Sequence, residues 1–249
     1  MRRVGVGRVK LLWGYVAAVV LALGVAPAFG QTGALTELDE GGKVCFGSQQ
    51  GNADPSALPG WINPAMSAMG RTPHEMTFTF KQIGNDRIIL ATGEIDEQAA
   101  DHLKAAFASY GPINEVHFNS PGGDSDQGEE IGRVIRSHGI VTTRVTRGNG
   151  CASACSTAFL GGAMRQIDPG AIYGIHLFSR AIDQNIEMTP DDFKALSAAD
   201  AALFGKRVEY ISSMGISMKW MSLWSATHSD CMTFLSQKQL HDAFVNNMR

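Results

Sequence analysis

The sequence predicts an α/β fold with a mostly parallel sheet and crossover helices, and three observations predict it. From Met76 onward, segments that alternate apolar and polar residues take turns with segments of helical periodicity. Clusters of Gly, Pro, Asn and Asp punctuate most of the changes between them. The chain has 249 residues, 44% of them hydrophobic and 18% charged, enough apolar material for one full core.

In chain order, residues 1–30 come first and carry the features of an export signal. "MRRVGVGRVK" holds four positive charges, "LLWGYVAAVVLALGV" is uncharged and apolar, and "APAFGQ" supplies small residues for cleavage after Ala28 or Gly30. The alternative is an uncleaved membrane anchor in residues 11–30, because no charge follows until Glu37. That apolar run is short for a span, which needs ~20 residues. Cleavage removes four of the 21 basic residues and none of the 24 acidic ones, taking the net charge from −3 to −7. A mature chain this acidic, without a basic cluster, is not expected to bind nucleic acid. Its expected location is the periplasm or another exported compartment.

Residues 31–75, rich in Gly, Pro, Ser and Asn, read as an irregular N-terminal arm, and residues 76–249 as the folded domain. "MTFTFKQIG" and "IILATGEI" read as strands joined by a turn at "NDR". "DEQAADHLKAAFASYG" has an acidic start, helical spacing of Ala, Leu and Phe, and a glycine stop at Gly111. "NEVHFN" is the next strand, "SPGGDS" a tight turn, "DQGEEIGRVIRSHG" a helix and "IVTTRVT" a strand. "GCASACSTAFLGGA" reads as a helix of small residues, and "MRQIDPGAIYGIHLF" as two strands around a DPG turn. Thr189 and Pro190 open a helix that runs to about Met214. The tail "CMTFLSQKQLHDAFV" reads as a short strand and a helix capped by Ser236.

Three places in this layout carry candidate chemistry. "NSPGGDS" lies between a strand and a helix, where open α/β folds bind ligands, and its glycines let backbone N–H groups face a ligand. "GNGCASACS" is a second such junction, with Ser153 near the first helical turn and the Ala154 amide beside it. Ser156 falls one turn deeper, where a serine ordinarily bonds back to a backbone carbonyl. His176, near the end of an apolar strand, has a side chain whose ordinary pKa of about 6.5 suits taking a proton from a hydroxyl. A serine needs such a base to act as a nucleophile.

The segments "RIILATGEID", "NSPGG", "GCASACSTAFLGGA", "PGAIYGIH" and "FLS" occur in the order and approximate spacing of the ClpP-like serine proteases of the ClpP/crotonase superfamily. The chain resembles in particular the exported ClpP-like proteins with a CASAC segment, over roughly residues 76–245. The resemblance implies a ClpP/crotonase-like spiral of β-β-α units. It implies Ser153 as nucleophile, His176 as general base, and the amides of Gly123 and Ala154 as the oxyanion hole. The family's third triad member is an aspartate two residues before the phenylalanine of "FLS", a position held here by Met232; Asp230, four residues before Phe234, is the substitute. The membrane-associated Ser-Lys branch of the superfamily suggests Lys194 as an alternative base. Its other reading is a solvated helix charge, and Asp191 and Asp192 beside it oppose the low pKa a base requires.

The implied activity is an exported serine hydrolase that cleaves peptide bonds through an acyl-enzyme, needs no metal or nucleotide, and acts on a peptide or protein. Superfamily members commonly form rings, which leaves a homo-oligomer open, as the anchor reading leaves membrane association open. The rivals are a non-catalytic binding module of the same fold, favoured by the missing aspartate, a Ser-Lys protease, and an acyl-CoA enzyme of the crotonase type, which export disfavours. Export also permits disulfides among Cys45, Cys151, Cys155 and Cys231. Cys151 and Cys155 on one helical face are awkward to bridge, so at least one of them is expected to pair with a distant cysteine, Cys231 being favoured. No CxxC or HxxxH spacing supports a zinc site.

Overall fold

The computed structural model describes residues 41–45, 62–177 and 189–248. The export signal expected in residues 1–30 and much of the arm lie outside the described residues. Nine strands are described, with seven helices, among which none is long and apolar enough to cross a membrane.

The strands form two sheets. The larger contains β2 (Thr77–Ile83), β3 (Asp86–Thr92), β4 (Glu115–Asn119), β5 (Thr142–Val145) and β7 (Met164–Ile167), in the order β2-β3-β4-β5-β7. It is parallel apart from the β2–β3 hairpin. The smaller has the order β1-β9-β8-β6, from β1 (Gly42–Cys45), β9 (Cys231–Phe234), β8 (Ile172–Ile175) and β6 (Gly150–Ala152). Here β6 and β8 run parallel and the other pairings are antiparallel. The helices are α1 (Ile62–Met69), α2 (Ala99–Tyr110), α3 (Ser125–Ser137), α4 (Ala154–Phe159), α5 (Pro190–Ser213), α6 (Met218–Ser225) and α7 (Gln237–Asp242).

The chain winds through these layers as a spiral. Each winding places a strand in the larger sheet, a short extended stretch in the second layer, and then a helix. The order is β3, Ile95, α2; then β4, residues 120–123, α3; then β5, β6, α4; and then β7, β8, α5. The second-layer stretches meet through the parallel bridges Ile95 to Gly123 and Ser120 to Cys151 and through the β6–β8 pairing. This is the α/β spiral of β-β-α units that the resemblance implies, with a mixed, largely parallel strand arrangement.

Local chemistry sets the helix starts. The Asp124 carboxylate accepts from the amides of Asp126 and Gln127, both at 2.9 Å, and opens α3. Thr189 with Asp192, and Ser236 with Gln239, form reciprocal capping boxes at α5 and α7. Each box satisfies two backbone donors that would otherwise lack partners.

Period-2 alternation divides the smaller sheet between two cores. Cys151, Tyr173 and Ile175 face the main core, while Ala152, Ile172, Met232 and Phe234 face a second cluster with Val44, Ala65, Met66 and Met69. That second cluster corrects the reading of residues 31–75 as wholly irregular. Residues 42–45 pair with β9 as β1, and α1 lays three of its side chains, Ala65, Met66 and Met69, on the outer face of the sheet. Both contacts are long-range, so local composition carries no trace of them.

The disulfides are a second correction. Cys45 joins Cys231, and Cys151 joins Cys155, so neither of the latter two has a distant partner. The expectation assumed that Cys151 and Cys155 share a helix. In fact Cys151 lies in β6, the backbone turns at Ser153, and Cys155 is the second residue of α4, leaving the Cα atoms 5.2 Å apart, within bridging range. Cys45 and Cys231 stand opposite each other in the β1–β9 register.

Candidate active site

From Gly150 to Gly162 every residue is buried except Ser153, which is half-buried. Small residues throughout this run let α3 pack tightly on α4: a Cβ at Gly128 would lie 2.5 Å from the Ala154 carbonyl oxygen. The same run presents one hydroxyl. Ser153 follows directly on β6 and precedes α4, with φ 55 and ψ −126, a conformation that L residues rarely adopt. Its amide donates to the Gly174 carbonyl of β8 at 3.0 Å, and its carbonyl accepts from the amide of Ser156 at 2.9 Å and from Ser156 Oγ at 2.6 Å. Ser156 thus makes the back-bond its position suggests. Beneath it the buried Tyr173 hydroxyl donates to the Ser156 carbonyl at 2.8 Å and accepts from Trp220 Nε1 at 3.1 Å, tying the helix to β8 and α6.

The strand neighbouring β6 supplies the partner. His176 follows the last residue of β8, and its Nε2 lies 2.7 Å from Ser153 Oγ. Two parallel strands therefore bring a hydroxyl and an imidazole together at their carboxyl ends, where α/β folds place their sites. Burial holds His176 below the ordinary histidine pKa, opposed by the backbone of Leu177 and Ser229. Its Nδ1 is buried and meets no group at hydrogen-bond geometry among the described residues, although the Ser229 backbone lies near enough to favour the protonated ring.

The stretch after β4 completes the arrangement. The Gly122 carbonyl accepts from the amide of Ile95 at 2.7 Å, and the amide of Asp124 donates to the Ile95 carbonyl at 2.8 Å. These two bonds flank Gly123, which forms a parallel bridge with Ile95, and the central residue of such a bridge directs its own N–H away from its partner. On that other side lies Ser153: a Cβ on Gly122, whose φ is 106, would stand 2.6 Å from Ser153 Cβ and 2.9 Å from the Ala154 nitrogen. Ala154 opens α4, so its amide is among those a helix start leaves unpaired. The Ala154 amide adjoins Ser153 and the Gly123 amide is directed to the same side, and among the described residues neither donates a backbone hydrogen bond outside the helices and strands. Such a pair can stabilise negative charge on an oxygen held against it.

Two sequence candidates are not brought to this centre. Asp230 is exposed; its carboxylate lies 3.4 Å from Nδ1 of His228, also exposed, and makes no described contact with His176. The turn before β9 offers His176 the backbone of Ser229 in place of a carboxylate. Lys194 is exposed on α5 and makes no described contact with Ser153 or His176. Sequence reasoning had no hold on the Gly174 carbonyl that anchors Ser153, since any residue supplies a carbonyl. It also missed the close approach of Gly122, for which the paired glycines of "SPGG" were the available signal. Among the described residues no cluster of His, Cys, Asp or Glu is arranged to hold a metal.

No protein-family profile matches the chain, and no curated protein matches it. Solved structures resemble it in part. A point mutant of ClpP1 from Listeria monocytogenes is 21% identical with a TM-score of 0.47, over 64% of this chain and 88% of that one. A point mutant of the 1510-N membrane-bound stomatin-specific protease is 19% identical with a TM-score of 0.46, over 64% of this chain and 75% of that one. A methylmalonyl-CoA decarboxylase is 11% identical with a TM-score of 0.32, over 39% of this chain and 47% of that one. At these TM-scores the resemblance assigns no residue a role, and the case for Ser153 and His176 rests on the geometry of this chain.

Proposed function

We propose that this chain is an exported serine-type hydrolase that cleaves peptide bonds through an acyl-enzyme on Ser153. The observation that carries the reading is the 2.7 Å contact between Ser153 Oγ and His176 Nε2 at a strained strand-to-helix turn. In the proposed reaction the hydroxyl oxygen attacks the carbonyl carbon of the substrate while its proton passes to Nε2. The carbonyl oxygen takes the negative charge facing the amides of Gly123 and Ala154. Collapse of the adduct breaks the C–N bond, and Nε2 returns the proton to the leaving amine. Water, deprotonated by the same nitrogen, then releases the acyl group.

We infer the exported location from the N-terminal sequence together with the cysteines. All four are paired, and disulfides persist in oxidising compartments. Mass spectrometry of the protein from its own host is expected to find a chain beginning near Gln31; an intact N-terminus would support the anchor instead.

The reaction requires His176 neutral. Burial disfavours the imidazolium, so the ring loses its proton at a lower pH than an exposed histidine, whose pKa is about 6.5. Labelling of the protein by a fluorophosphonate is therefore expected to rise through a midpoint below that value and to be flat at neutral pH. A midpoint above it contradicts His176 as a buried base. Absence of labelling in folded protein replaces the hydrolase with the binding module, the reading favoured by Met232 at the position of the family's acid.

The orienting group is tested in the same assay. Asp230→Asn and Lys194→Met are each expected to keep the rate within about threefold of wild type, since neither residue touches the pair and distant sites act independently. A loss of ~10⁴ with Asp230→Asn, the size seen when a true triad acid is neutralised, would restore the aspartate to the site. A comparable loss with Lys194→Met would support the Ser-Lys arrangement.

A further inference from the structure

Cys151 and Cys155 stand two residues before and two residues after Ser153, and both are completely buried. Their disulfide closes a five-residue loop over the end of β6 and the first turn of α4, with the half-buried Ser153 at its centre. The hydrogen bonds at Ser153 fix its amide against Gly174 and its carbonyl against Ser156. They leave the direction of the side chain to the backbone torsions. Those torsions, φ 55 and ψ −126, belong neither to the strand behind nor to the helix ahead. Without a constraint across the junction, the strand would tend to run on or the helix to begin one residue early. Either change rotates the Ser153 hydroxyl away from Nε2, and such a conformation persists only where its surroundings over-determine it.

We propose that the Cys151–Cys155 disulfide is the positioning element that holds Ser153 in this conformation and so aims its hydroxyl at His176. The proposal rests on the hydrolase reading for its kinetic consequence and on geometry alone for its structural one. The second disulfide provides the contrast. Cys45–Cys231 closes a link of sequence separation 186 and clasps β1 to β9, two strands removed from β6 in the sheet order. It serves the arm and the outer cluster, and its loss is a matter of stability.

The experiment compares two paired variants of the full chain, each assayed well below its melting temperature. Cys151→Ala with Cys155→Ala is expected to lose about 100-fold in fluorophosphonate labelling rate while remaining folded, the cost of a small misplacement of a reacting group. Its crystal structure is expected to show Ser153 at a negative φ, with Oγ out of contact with Nε2. Cys45→Ala with Cys231→Ala is expected to melt lower and to label within about threefold of wild type. If the alanine pair at the elbow does not fold, Cys151→Val with Cys155→Ala refills the buried volume with a strand-favouring residue and is read in the same way. Labelling at the wild-type rate, or a variant crystal structure that keeps Ser153 near φ 55 and the 2.7 Å contact, overturns the proposal. If wild-type protein itself never labels, the hydrolase reading falls, and the crystal structure of the variant still decides whether the disulfide sets the conformation.

Discussion

Ser153→Ala is expected to abolish covalent labelling by a fluorophosphonate, and Ser156→Ala to leave it largely intact. The two serines lie one helical turn apart and differ in what their hydroxyls already do. Ser156 Oγ donates to the Ser153 carbonyl at 2.6 Å on a residue that is 2% exposed, so a probe cannot reach it. Ser153 is the one residue from Gly150 to Gly162 that is not fully buried, and its Oγ has an imidazole at 2.7 Å to take its proton. His176→Ala is expected to slow labelling by ~10² to 10⁴, the usual worth of a positioned general base. The three variants form one test, read by gel fluorescence and by mass spectrometry of the labelled peptide. Undiminished labelling of Ser153→Ala, with the adduct elsewhere, would remove this centre from the chemistry.

The difference between these serines was visible in the sequence only in outline. Helix punctuation is local chemistry: Thr189 with Pro190, Ser236, and Gly111 all announce their roles through side chain or backbone type, and each stands where expected. The pairing of Ser153 with His176 was suggested by a resemblance and by residue type, and the structure brings the two atoms together. The strand β6 was not legible. "GCA" has three small residues and no periodicity, and it was read into the helix that follows. That one error displaced Cys151 onto the wrong element and with it the expected disulfide. Pairing of β1 with β9 depends on residues at least 186 apart, so nothing in the arm announces it. The missing acid shows the reverse case. Met232 in place of an aspartate was plain in the sequence, but only the structure shows Asp230 turned toward His228 and the Ser229 backbone beside the imidazole.

Gly122→Ala carries the largest expected effect outside the Ser-His pair, because two penalties meet at one atom. At φ 106 an added Cβ is strained whatever space surrounds it, and here it would stand 2.6 Å from the Ala152 carbonyl oxygen, 2.6 Å from Ser153 Cβ and 2.9 Å from the Ala154 nitrogen. None of these is the far end of a flexible side chain, so backbone must move. The Ile95 amide, at 2.7 Å from the Gly122 carbonyl, holds one side of the stretch, and the displacement falls on the gap between Gly123 and Ser153. Overpacking of this kind costs about 1 to 3 kcal/mol in stability. Displacement of the Gly123 amide from the developing oxyanion costs a further ~10² to 10³ in rate, the usual consequence of losing one such donor. Gly84→Ala is the control: its φ of 59 carries a left-handed penalty of about 1 to 2 kcal/mol, but nothing lies within 4 Å of the new carbon and the hairpin turn is remote from Ser153. It is expected to lower the melting temperature and leave labelling unchanged. If Gly122→Ala, folded, labels as fast as wild type, the Gly122–Gly123 stretch does not serve the oxyanion, and the second donor must be sought on another element.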